Sequence, residues 1–202
     1  MSSADASRGA AASAELPLRL DSARRRALDE VIRAGLDELD VPFERVDAGT
    51  FLVTLSGEHK LATMTWLVLQ DYSLLVEAFF MRKPAENVAG TYGFLLGRNA
   101  RSYGVHFAID RLGDVYLTGR LPLAAVSPSE LDRVLGCVRT YADENFDPAL
   151  KLGFAGAIRR EQAWRARLAA QTGPGGAGAV SPRPAGLSAG PAQGGGPAGG
   201  GG

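Results

Sequence analysis

The chain reads as an α+β domain on a single antiparallel sheet, with elements in the order α-β-β-β(β)-α-β-β-α. Three observations point there. Leu28, Ile32, Leu36 and Leu39 repeat at the three-to-four spacing of a helix with one buried side. After Pro42 the period changes to short runs of β-branched and large apolar residues separated by polar or glycine turns, the pattern of a meander. Helical patterns then interrupt and close that run, which places helices mostly on one face of one sheet.

In order along the chain, Asp21 and Ser22 offer an N-cap for the first helix. Strands follow over 43–46, 51–55, 61–69 and 73–81. A second helix follows Pro84, starting at or before Asn87 and ending near Tyr103, with Gly104 as its left-handed stop. Two strands, 105–110 and 115–120, join across Leu112, Gly113 and Asp114. Ser127, Pro128 and Glu130 spell a capping box with proline at the first helical position. Its helix shows Leu131, Val134, Leu135 and Val138 on one side. Asp147 and Pro148 then predict the start of a last helical stretch, broken near Gly153 and Gly156 and running out near Leu168.

Composition sets the boundaries. Half of the 26 glycines and five of the 11 prolines fall in residues 173–202. The expected organisation is a flexible arm over 1–18, an α+β domain over 19–170 and a disordered glycine-, proline- and alanine-rich tail over 171–202. The arm lacks the apolar core of a secretory signal, so a cytoplasmic location is expected. The stretch 61–81 is interrupted by Gln70, Asp71 and Tyr72, which rules it out as a membrane span. With 22 basic and 22 acidic side chains the net charge is zero, which speaks against a general attraction to nucleic acid.

The segments LLGRNARSYGVHFAIDRLGDVYLTGRLPL and ELDRVLGCVRTYADENFDPALKLGF, together with the element order, resemble the YbjN-domain family in its actinobacterial branch. The resemblance spans residues 21–164. It implies a fold like that of type III secretion chaperones and a role in sensory transduction or stress regulation. It brings no established catalytic residue.

The residues themselves argue against an enzyme. His59 sits in a polar turn and His106 in a strand, neither with a nucleophile and an orienting partner beside it. The one cysteine, Cys137, lies on the edge of an apolar helix face and excludes an internal disulfide or a cysteine-cluster metal site. Asp110 and Asp114 are hairpin residues, which normally serve the turn, and Glu77 is a lone strand acid. Gly90, Gly93 and Gly97 lie within a helix and cannot cradle phosphate. No catalytic residue, cofactor or metal is assigned. Arg159, Arg160, Arg165 and Arg167 around Trp164 read as a solvated basic face.

Two surfaces favour binding another protein. Alternation in the third and fourth strands makes both sheet faces apolar, with Leu61, Thr63, Thr65, Leu67 and Leu69 opposite Ala62, Met64, Trp66 and Val68. Either a helix covers the second face, or Trp66, Phe79 and Met81 form an exposed patch. The second surface is the side of the helix after Pro84 that bears the three glycines with Phe94, Arg98 and Arg101. The expected function is a non-enzymatic, chaperone- or adaptor-like module that buries a partner's apolar segment on the sheet, with strand addition at a free edge as one route. Dimerisation through the same patch competes with it.

Overall fold

The structure, a computed structural model, describes residues 19–171; the arm and nearly all of the tail lie outside the described residues. Among the described residues, those up to Glu161 form one compact unit, and those from Gln162 belong to a second. The elements are α1 (Ser22–Glu38), β1 (Phe43–Asp47), β2 (Thr50–Ser56), β3 (Ala62–Leu69), β4 (Ser73–Met81), α2 (Val88–Asn99), β5 (His106–Ile109), β6 (Val115–Pro122), a 3-10 turn (Leu123–Ala125), α3 (Pro128–Gly153) and α4 (Ala155–Gln171). The strands form one antiparallel sheet in the order β1-β2-β3-β4-β6-β5. This is the α+β arrangement the sequence predicts.

The core lies on one side of the sheet. Phe51 and Val53 of β2, Leu67 of β3, Leu74 and Val76 of β4 and Leu117 of β6 all point inward and are fully buried. They meet α3, which packs across β2, β3 and β4 and carries α1 and α2 against its flanks. Its apolar side keeps helical spacing from Leu131 through Val138, Ala142 and Ala149. At the start of α3 the Ser127 hydroxyl accepts the Glu130 N–H at 3.3 Å. The Glu130 carboxylate turns instead to the Tyr103 hydroxyl at 2.8 Å, so the capping box is made in one direction.

Three boundaries differ from expectation. The second helix ends at Asn99 rather than near Tyr103, although Gly104 is left-handed at φ +71°. Leu61 lies outside β3 and is 80% exposed. Pro148 does not begin a helix but sits inside α3. A proline there removes the N–H that would have reached the Glu144 carbonyl and crowds that carbonyl with its ring, yet the buried stripe through Ala149 holds the helix continuous. The break comes at Gly153, whose carbonyl accepts the N–H groups of Ala85 and Glu86 at 3.0 and 3.1 Å.

Candidate functional site

The side of the sheet away from α1, α2 and α3 is open. Cross-strand register assembles it from rows. Leu52 pairs with Trp66, Trp66 with Glu77, Glu77 with Thr118 and Thr118 with His106. A second row runs through Thr50, Val68, Leu75 and Arg120. In a third, Phe79 pairs with Tyr116 and Tyr116 with Ala108. Met64 is 52% and Trp66 39% exposed, whereas the inward residues Thr63, Thr65 and Leu67 are all buried. The alternation therefore resolves as one core face and one uncovered, largely apolar face.

Phe79 is half-buried on that face, its ring edge-on to Tyr116 at 5.5 Å. Met81 is not there. The expectation that it joins Trp66 and Phe79 fails because the β4–β6 pairing shifts between Phe79 and Met81. A bulge of this kind puts two consecutive residues on the same side. Phe80 and Met81 accordingly both enter the core, at 1% and 3% exposure. Leu52, Leu75 and Tyr116 take its place on the open face; strand alternation hints at each, but only the register shows that they lie together.

Phe94, Arg98 and Arg101 are brought together elsewhere, on the helical side. They line a groove of about 680 Å³ between α2 and α3, facing Tyr141, Glu144 and Asn145. The Arg98 guanidinium lies 4.8 Å from the Phe94 ring centroid. A β-carbon on Gly93 or Gly97 would meet nothing within 4 Å, so neither glycine is required by close packing.

The remaining candidates have structural duties. Asp110 Oδ1 accepts the N–H groups of Leu112 and Asp114 at 2.8 and 2.9 Å, closing the β5–β6 turn. Asp114 accepts the Lys83 N–H at 2.8 Å and pairs with Arg82 at 3.2 Å. His59 Nδ1 lies 3.3 Å from Asp147 Oδ2 at the surface. Cys137 is half-buried against the core. The contacts given for these four residues are structural, and no group of three or more His, Cys, Asp or Glu side chains among the described residues could hold a metal ion.

The sheet has two edges with different chemistry. At β5 the Asn99 side chain accepts the Phe107 N–H at 2.8 Å and donates to the Phe107 carbonyl at 3.0 Å. At β1 the strand is short and irregular between Arg45 and Asp47. Arg45 is drawn to the buried carboxylate of Asp29 at 3.1 Å. Strand addition at β5 would have to displace Asn99.

The sequence pattern of YbjN, described as "Putative bacterial sensory transduction regulator", matches residues 28–151, from within α1 to the last turn of α3. The chain belongs to the YbjN family. Its YbjN region contains both the open sheet face and the α2–α3 groove. Uncharacterized proteins of Mycobacterium tuberculosis and Mycobacterium bovis are 48% identical to it over 114 residues, covering 56% of this chain and 62% of each relative. One from Mycobacterium leprae is 46% identical over the same length and shares. This YbjN chain thus spans less than two thirds of the length of the curated relatives it matches. Among solved structures, a chain of the HopA1-SchA Chaperone-Effector Complex is similar with TM-score 0.45 and 13% identity, over 61% of this chain and 94% of that one. No helix among the described residues is long and apolar enough to cross a membrane.

Proposed function

We propose that this domain is a non-enzymatic protein-binding module of the cytoplasm, acting as a chaperone or adaptor that buries a partner's apolar segment on the open sheet face. The observation that carries it is the exposure of Met64 and Trp66, at 52% and 39%, on a sheet whose other side is fully packed. Uncovered apolar surface centred on an aromatic residue is the usual mark of an interface. A binding role also suits the regulatory description of the family, since a regulator without catalytic groups acts through what it holds. The groove with Phe94, Arg98 and Arg101 belongs to the same proposal as a second contact region.

The test is a pull-down from lysate with the full chain as bait, beside Trp66→Ser, Phe79→Ser and Arg98→Glu/Arg101→Glu variants shown to be folded. A protein retained by the parent and lost with both sheet variants supports the sheet face. Loss with the arginine variant alone moves the contact to the groove. Identical retention in every lane ends the proposal.

A further inference from the structure

The open face is not uniformly apolar, and its polar part has one sign. Beside Trp66 it sinks into a depression of about 350 Å³ lined by Glu77, Ala108, Ile109, Asp110, Tyr116 and Thr118. Two carboxylates line it and no lysine or arginine does. The Glu77 carboxylate makes no hydrogen bond or ion pair with the described residues, although Trp66 and Thr118 flank it across the strands. Asp110 uses Oδ1 for the turn, which leaves Oδ2 outside those bonds.

The cations nearest in register are already engaged. Arg82 pairs with Asp114 and lies 5.9 Å from the Phe79 ring centroid. Arg120 donates to the Gln70 side chain. His106, exposed beside Thr118, is a further group on this face able to carry positive charge, and the exposed Arg111 follows Asp110 in the turn. Burial first, then Asp110, Asp114 and Glu77, push the Tyr116 phenol above its ordinary value, with Arg82 opposing.

We propose that the open sheet face takes an apolar segment that carries a lysine or arginine, with the cation entering the depression at Glu77 and Asp110. This rests on the protein-binding reading above. A wholly apolar segment would cover Glu77 and leave its charge without a partner, which is costly in a desolvated interface. A cation placed there meets two carboxylates and the Tyr116 ring, and its apolar neighbours reach Leu52, Met64, Trp66 and Leu75. A second copy would have to draw on this face's own cations, of which Arg82 and Arg120 already have partners.

The probe is a phage-displayed library of random dodecapeptides, selected on the immobilised full chain and on folded Trp66→Ser, Met64→Ser, Glu77→Gln and Glu77→Lys variants. The parent is expected to enrich sequences with one Arg or Lys among apolar residues. A synthetic peptide from that pool should lose roughly tenfold or more in affinity to Glu77→Gln. Replacing its own cation by Gln should cost a similar factor, with little further loss when both changes are combined. Selection on Glu77→Lys should abandon the basic residue. If binding is lost with Trp66→Ser and Met64→Ser but indifferent to Glu77→Gln and to the peptide's cation, the face binds and the charge assignment is wrong. If the selected peptides bind the Trp66 and Met64 variants unchanged, or nothing is enriched, both proposals fall. Light scattering that shows a dimer dissolved by Trp66→Ser would assign the face to a second copy. In a Trp164→Phe background, Trp66 emission already shielded from acrylamide in the isolated monomer would mean that the chain covers its own face; either result overturns the proposal.

Discussion

The carbonyl of Gly104 occupies the space that a β-carbon on residue 119 would need. Gly104 itself holds φ +71°, a conformation that side chains disfavour. The two glycines therefore depend on each other where the chain turns into β5 beside β6. Gly119→Ala is expected to destabilise the domain by about 1–3 kcal/mol, the usual cost of forcing extra carbon into a packed site. Urea unfolding with unchanged slope would measure it.

Two methionines on neighbouring strands should behave oppositely. Met81 is 3% exposed and Met64 52%. Met81→Ala should cost about 2–5 kcal/mol, as for other large-to-small core changes. Met64→Ala should stay within about 0.5 kcal/mol, as surface substitutions do. Thermal melts of the two variants side by side would check the placement of the β4 bulge, since an unbulged strand would turn Met81 outward.

Acid should loosen the contact between α3 and the β2–β3 turn. Asp143 Oδ1 accepts the backbone N–H groups of Lys60 and His59 at 2.9 and 2.8 Å. The Lys60 bond above all, aided by His59 and opposed by burial, holds the Asp143 carboxyl below its ordinary value of 3.8. A carboxyl whose pKa is lower folded than unfolded adds stability that is complete above the unfolded value and is lost as pH falls through the folded one. Asp143→Asn, which keeps an acceptor without the charge, should flatten the loss of melting temperature below about pH 4 relative to the parent.

Gly93 and Gly97 should be replaceable with profit to stability. Both lie within α2, and a β-carbon on either has open space around it. Alanine there should add about 0.4–1 kcal/mol each by restricting the unfolded chain. Denaturant midpoints would show it. A loss instead would mean that something approaches that side of α2 in solution.

Periodicity and turn chemistry made most of this fold legible. The stripe of α1, the strand alternation and the cap at Ser127 are local signals, each readable within a few residues. Pro148 misled because its local preference yields to the buried stripe that runs through Ala149. Met81 misled for a different reason. A bulge is set by what the partner strand needs, and nothing in the sequence of β4 marks it. The depression beside Glu77 was beyond sequence reading altogether, since Glu77, Asp110 and Tyr116 come from β4, from the β5–β6 turn and from β6, and only cross-strand register brings them together.

The Asn99 clip on Phe107 also bears on what crowding or partial unfolding would do to this chain. Open strand edges are where chains polymerise. With the outward N–H and carbonyl of Phe107 already spoken for, a strand adding at β5 must first displace the amide of Asn99. One asparagine side chain thereby guards this edge against an incoming strand.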